Sequence, residues 1–359
     1  MPRNSSIAPH PSRAVAVAIA TPIEAELVAS IRDVSDRLSV LYEPDLLPPT
    51  RYPEDHHGVE SFRRGANEES RWRELLAQAE VVFGIPDDSP EGLAAVVRDN
   101  PRLRWVQGTA AGTGEQLKAA GLTEEELDRV TVTRASGVHV WPLAEFCLLG
   151  LLAFTKGLPR LQADQRAHHW DHYPVAELNG GTLLVLGLGS IGSEVARLAK
   201  ALGMRTLAIN RGGASDSPHV DETYPPQSLH DLLPRADALV VTLPLTDETA
   251  GMLDAQAFSL MKPDAILVNI GRGGVIDEQA LVRALREQRL AGAALDVFAT
   301  EPLPADSPLW ELPNVLISPH TAALSMRENE RIVELFAENL DRYLAGDELV
   351  GRVDPTLFY

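Results

Sequence analysis

Leu183-Leu184-Val185-Leu186 is an uninterrupted apolar run that ends in Gly187-Leu188-Gly189-Ser190-Ile191-Gly192. Ser193-Glu194-Val195-Ala196-Arg197-Leu198-Ala199-Lys200 continues it with helical patterning. A buried strand, a G-x-G-x-x-G turn and a helix start, in that order, constrain this chain more than any other feature. Gly187 permits the tight turn, Gly189 removes a side chain where a pyrophosphate must approach, and Gly192 lets helix and strand pack closely. Ser190 and Ile191 then lie at a helix N-terminus, whose free N–H groups and positive dipole end suit phosphates. The segment predicts a dinucleotide site.

The rest of the chain keeps the rhythm of an α/β fold, short apolar runs alternating with helical patterns. Strands are predicted over 14–20, 39–42, 80–83, 104–106 and 130–133. A second series follows over 182–186, 205–209, 237–242, 265–269, 293–295 and 315–317. Thr21-Pro22-Ile23-Glu24 reads as a helix start with Pro at its first position. Residues 141–160 read as one buried helix, 162–171 as a polar linker, and 326–344 as an amphipathic final helix. The architecture expected is two open α/β sheets. Residues 1–13 read as a disordered polar leader. Residues 46–67 carry no pattern, which marks a lid or binding loop, and His56-His57 within it read as ordinary surface residues.

Composition excludes several classes. At 359 residues, 45% hydrophobic and 23% charged, the chain suits a globular protein with a large core. Its 32 Lys and Arg face 51 Asp and Glu, a formal charge of −19. That balance argues against a nucleic-acid or anionic-membrane partner, whose binder is basic. No apolar stretch approaches the ~18–20 residues of a membrane span. The lone Cys147, set in an apolar run, permits no intrachain disulfide and no cysteine metal cluster. A cytoplasmic setting and no metal follow as expectations.

The second strand of the nucleotide-binding series ends in Asn210-Arg211. An NAD site usually places Asp or Glu there, ~20 residues beyond the glycines, to accept from the ribose 2′-OH. Asn210 carries no charge, and Arg211 suits a 2′-phosphate. NADP(H) is therefore favoured over NAD(H), with Arg211 stacking on the adenine of either cofactor as the alternative.

Thr242-Leu243-Pro244-Leu-Thr246-Asp-Glu-Thr249-Ala-Gly251, Asn269-Ile270-Gly271-Arg272-Gly-Gly, Leu295-Asp296-Val-Phe-Ala-Thr-Glu301-Pro and Ser318-Pro-His320-Thr-Ala each follow a predicted strand. With the glycine fingerprint, and in this order, they resemble the D-isomer-specific 2-hydroxyacid dehydrogenase family, densely from about 138 to 323. The resemblance implies a Rossmann-type cofactor domain, 137–321, inserted into a discontinuous flavodoxin-like substrate domain, 1–136 with 322–359. The active site would lie in the cleft between them.

It also implies interconversion of a small 2-keto acid and a D-2-hydroxy acid, with Arg272, Glu301 and His320 as the catalytic set. The chemistry accounts for those residue types. A histidine carries a transferable proton near neutral pH, a carboxylate on its other nitrogen fixes the tautomer, and an arginine anchors a carboxylate with a charge that cannot titrate away. Leu243, Pro244, Thr249, Ile270, Gly271, Arg272, Asp296 and His320 are implied cofactor contacts, and Arg272 and His320 are also implied substrate contacts. Ala111 and Gly112, in Gln107-Gly-Thr-Ala-Ala111-Gly112-Thr113-Gly114, match the family's substrate-carboxylate loop. They depart from its usual hydrophobic residue and aspartate at Thr113 and Gly114. Trp310 is expected to pack.

The family further implies a homodimer through the cofactor domain. The short tail after the final helix gives no expectation of the regulatory domain of long phosphoglycerate dehydrogenases. Two rivals share the scaffold: NAD(H)-sensing corepressors, and formate dehydrogenases. The latter pair the histidine with glutamine, where this chain has Glu301.

Overall fold

The computed structural model describes residues 13–110 and 112–358, so nearly all of the expected leader lies outside the described residues. Two compact units emerge, Met1–His139 with Ser325–Tyr359, and Val140–Leu324. Each is built on one parallel sheet.

The first unit contains β1 (Val15–Ile19), β2 (Leu38–Leu41), β3 (Val81–Phe83), β4 (Trp105–Gln107) and β5 (Thr131–Thr133). Their order is β2-β1-β3-β4-β5, the flavodoxin-like arrangement, which reverses direction between β1 and β3. The second contains β6 (Thr182–Leu186), β7 (Arg205–Ile209), β8 (Glu222–Tyr224), β9 (Ala238–Val241), β10 (Ile266–Asn269), β11 (Gly292–Leu295) and β12 (Val315–Ile317). Its order, β12-β11-β10-β9-β6-β7-β8, is the dinucleotide-binding arrangement extended by one strand, and it reverses between β6 and β9. The central strands are buried on both faces, as parallel sheets require.

Every strand read from the sequence is present, to within one residue at either end. The edge strand β8 was not anticipated. Its Glu-Thr-Tyr is half-exposed throughout, so it carries no apolar run.

Helical segments differ more. The apolar helix ends at Thr155, because Gly157 takes a left-handed φ of 66°. A second helix, Leu158–Arg166, leaves at 62° to the first and occupies half of the expected linker. The first helix runs over Ala25–Asp33 with Glu24 as its cap, so Pro22 precedes it rather than opening it. No single helix among the described residues is long and apolar enough to cross a membrane.

The segment between β2 and the helix Ala66–Gln78 is ordered by polar contacts rather than by ladders. Arg51 grips the buried Asp55 through both its Nε and its Nη2, at 2.8 Å each. That holds the Asp55 carboxyl well below the ordinary range. His56 is not a surface residue, since its Nδ1 meets Thr21 Oγ1 at 3.1 Å and burial pushes its imidazole down. His57 is exposed, as expected.

The returning helix Glu328–Ala345 lays Ile332, Phe336, Leu340 and Tyr343 against β3 and β4. Phe336 meets Phe83 at 4.6 Å and Trp105 at 5.0 Å between ring centroids. Fully buried Asn339 seals the same contact. Its Nδ2 donates to Gln107 Oε1 (3.2 Å) and Val350 O (3.0 Å), and its Oδ1 accepts from Val350 N–H (2.7 Å). Asn339→Ala should therefore cost about 2–4 kcal/mol, the sum of a small cavity and orphaned buried partners. The midpoint of urea unfolding measures it, and a loss under ~0.5 kcal/mol would mean that the network contributes little.

Candidate active site

The site in Val140–Leu324 is assembled on the carboxyl ends of β6, β9, β10, β11 and β12. At β6 the chain turns through Gly187 with φ 100°, a conformation that disfavours any side chain. A Cβ on Gly192 would stand 2.0 Å from Gly187 O, so helix and turn touch only because it is absent. Gly189 faces open space and caps the helix Ser190–Ala201 with no side-chain hydrogen bond. Exposed Ser190 and half-buried Ile191 open that helix. Thr242, just beyond β9, donates its hydroxyl to Gly187 O at 2.7 Å and fixes the turn at the sheet's switch point. A bare backbone and an uncapped twelve-residue helix fit a pyrophosphate.

Half-buried Leu243 and exposed Pro244 follow β9. Thr249 closes that loop, its hydroxyl donating to Pro244 O (2.7 Å) and accepting from Thr246 N–H (2.8 Å). Just beyond β7 the Asn210 amide donates to Ala214 O of the same loop at 2.8 Å. Arg211 is exposed, and its charge helps hold the Glu248 carboxyl low, after hydrogen bonds from Thr246 and the Glu248 backbone. Glu248 lies within the Thr242–Gly251 motif but has no spacing or pattern that singles it out in the sequence.

At the end of β10, buried Asn269 accepts Gly271 N–H at 3.1 Å and donates to Arg272 O at 3.2 Å. Ile270 and Gly271 are buried, while Arg272 is exposed with Nη1 on Gly271 O (2.9 Å). Beyond β11 comes Asp296, 1% exposed. Its Oδ1 accepts from Ser318 Oγ (2.5 Å) and from the N–H groups of Thr321 and Ala322 (2.9 Å each). Its carbonyl accepts His320 N–H at 3.0 Å. This clamp holds His320 at φ 55°, which is uncommon for a residue other than glycine.

The result is one short contact. His320 Nδ1 lies 2.7 Å from Glu301 Oε2, while Glu301 Oε1 accepts Phe298 N–H at 2.9 Å. Burial works to raise the Glu301 carboxyl, but the His320 and Phe298 hydrogen bonds, with the charges of His320 and Arg272, leave it below the ordinary range. The structure thus brings Arg272, Glu301 and His320 together. Trp310 is half-exposed rather than packed, with Nε1 on Pro304 O at 3.0 Å. In the first unit Gly112 caps the helix Thr113–Ala119, and Ala111 lies outside the described residues.

With this geometry in view, comparison with known proteins decides the family. The sequence pattern described as D-isomer specific 2-hydroxyacid dehydrogenase, NAD binding domain, matches residues 148–322. A glyoxylate reductase of Aeropyrum pernix is 39% identical over 267 residues, 72% of this chain and 76% of that one. The chain belongs to the D-isomer specific 2-hydroxyacid dehydrogenase family. A D-3-phosphoglycerate dehydrogenase of Mycobacterium tuberculosis is 38% identical over 294 residues, 75% of this chain but 54% of that longer one.

Solved family structures agree. A family protein from Aeromonas salmonicida superposes with a TM-score of 0.75 at 29% identity, covering 95% of this chain and 99% of its own. A dehydrogenase from Xanthobacter autotrophicus, in complex with NADPH and MES, gives 0.74 at 26%, covering 96% and 100%. The family acts on small keto and hydroxy acids with NAD(P), and this chain is therefore an NAD(P)-dependent oxidoreductase of that class.

The depressed Glu301 carboxyl has a signed consequence. A carboxyl lowered on folding contributes stability above its unfolded value of ~4.3, and loses it as pH falls through the lower folded value. Glu301→Gln should therefore lower the melting temperature by about 2 °C at pH 7, a small effect because the pair is part-exposed. The gap should close below about pH 4. A gap independent of pH would show that the charge contributes nothing.

Proposed function

We propose that the chain reduces a small 2-keto acid to the D-2-hydroxy acid, and runs the reverse reaction, with His320 as general acid and base. The contact between His320 Nδ1 and Glu301 Oε2 at 2.7 Å carries the reading. A carboxylate on Nδ1 fixes that nitrogen as the donor, which leaves Nε2 to exchange the substrate proton. The half-exposed ring can be reached. Bound nicotinamide supplies or accepts the hydride at the substrate's C2. In reduction His320 Nε2–H protonates the carbonyl oxygen, and in oxidation neutral Nε2 takes the hydroxyl proton. Arg272 anchors the carboxylate and polarises the carbonyl with its planar fork. Gly112 and Ala111 add backbone donors to that carboxylate.

Val140–Leu324 serves as the dinucleotide domain and the remainder as the substrate domain. Gly187, Gly189, Ser190, Ile191, Gly192, Leu243, Pro244, Thr249, Ile270, Gly271 and Asp296 are the proposed cofactor contacts. The relatives named glyoxylate reductase support glyoxylate as a substrate.

Arg272→Lys keeps the charge but not the fork, and should lose most of kcat/KM with unchanged circular dichroism. His320→Ala should lose about 10²–10⁴-fold in both directions. Steady-state kinetics decides, and variants within a few-fold of wild type would take these residues out of the chemistry.

NADP(H) is the proposed preference, carried by uncharged Asn210 and by Arg211. Asn210→Asp with Arg211→Ala should move the ratio of kcat/KM from NADPH toward NADH. A wild type that already favours NADH would overturn the assignment of Arg211.

Two further readings complete the proposal. Trp141, Leu149, Leu152, Leu158, Leu161 and Trp170 are exposed along one stretch of the cofactor domain. An apolar surface of that kind marks an interface, here a homodimer's. Light scattering that returned the mass of one chain would exclude it. Cys147 is fully buried, and burial first and Asp296 second push its thiol up, so it is inert core. A cytoplasmic setting fits a chain without disulfides.

A further inference from the structure

The segment that carries Arg272 and the segment that carries Glu301 are fastened to each other at two points, both inside the Val140–Leu324 unit. The first is a close approach of backbones. A Cβ on Gly273 would stand 1.9 Å from Phe298 C, so the two chains can touch only because this residue is glycine. The second is a side chain. Glu278 opens the helix Glu278–Arg286, and its Oε2 accepts the N–H of Ala299 at 3.0 Å, across 21 residues of sequence. The links that follow belong to the site itself. Phe298 N–H donates to Glu301 Oε1 at 2.9 Å, and Glu301 Oε2 meets His320 Nδ1 at 2.7 Å.

We propose that Glu278 is a positioning residue, which holds the loop 298–301 so that the Glu301 carboxylate stays on His320. The inference rests on the 2-keto acid reductase reading and adds a residue to its machinery.

An acidic residue in the first turn of a helix has an ordinary use, which is to meet the free N–H groups and the positive end of the dipole. Here Asp277 already does so as the N-cap, its side chain accepting Ala280 N–H at 3.0 Å. Glu278 reaches out of its own helix instead. Two consecutive N–H groups of the loop are thereby taken by two carboxylates, Phe298 by Glu301 and Ala299 by Glu278. Packing holds only one end of this loop, since Phe298 is buried while Ala299, Thr300 and Glu301 are exposed. The bond to Glu278 therefore sets the direction of the peptide between Phe298 and Ala299. Released from it, that peptide can rotate, and Glu301 moves with it. A displacement of about 1 Å at a catalytic group lowers a rate by up to ~10²-fold. Dinucleotide binding at the glycine turn would be left as it was.

Glu278→Ala should lower kcat for 2-keto acid reduction by about tenfold and leave KM for the dinucleotide within about twofold. Glu278→Gln keeps an acceptor oxygen at the same reach and should recover most of the loss. Glu278→Asp keeps the charge, falls one methylene short and should not. In a Glu301→Ala background the further change Glu278→Ala should lower kcat by less than about twofold, since nothing is left to position. Hydrogen exchange reads the same link without turnover. The Phe298 and Ala299 amides should exchange about tenfold faster in Glu278→Ala than in wild type or Glu278→Gln. Wild-type kcat or unchanged exchange in Glu278→Ala, an equal loss in the Glu301→Ala background, or a Gln variant as slow as the Asp variant would overturn the proposal. If Glu278→Ala does not fold, the Gln and Asp variants decide by themselves. Failure of wild type to reduce any 2-keto acid with either cofactor would instead remove the reductase reading on which the proposal rests.

Discussion

One buried carboxylate organises the loop that carries His320. Asp296 is almost wholly withdrawn from water, and such a charge is costly unless hydrogen-bonded on several sides. Its partners all come from the loop after β12: the Ser318 hydroxyl and the N–H groups of Thr321 and Ala322. Charge-assisted bonds of this kind contribute roughly 1.5–3 kcal/mol each. The three together exceed the ~1–3 kcal/mol that a left-handed backbone costs at His320. The histidine is therefore held by a neighbour that itself lies inside the fold, and Glu301 meets a ring whose position is already decided.

The same economy of means recurs at the glycine turn and the loop after β9. Thr242 fixes the Gly187 turn and Thr249 closes the loop that begins at Leu243, each by donating one hydroxyl to a carbonyl. Both loops spring from strands that flank the switch point of the large sheet. The charges of Arg272 and His320 both act on the Glu301 carboxyl.

The long segment between β2 and the helix Ala66–Gln78 shows another route to order. It forms no ladder, yet Arg51 and Asp55 fasten it internally. Glu54 reaches the final helix, where its carboxylate accepts Asn329 N–H at 2.5 Å. Close by, His139 meets Glu328 at 2.9 Å, joining the place where the chain leaves this unit to the place where it returns. A loop tied at so many points keeps a fixed shape.

Hydrophobic periodicity made the strands legible, because a strand buried on both faces must be apolar throughout. β6, β7 and β12 coincide with their apolar runs. The glycine turn and the Arg272, Glu301 and His320 segments were legible because each follows such a strand, where ligands bind. Edge strand β8 stayed invisible, being half-exposed and polar. The break at Gly157 was hidden within apolar sequence, since a left-handed φ leaves no mark on hydrophobicity. Tertiary structure alone decided that Asp296 clamps the histidine loop, that His56 turns inward to Thr21, and that Asp87 and Asp88 line a cavity. Local sequence determines which residues can be buried. Which polar groups become partners depends on elements that meet only when the chain folds, and the energy of a buried hydrogen bond exists only once they have met.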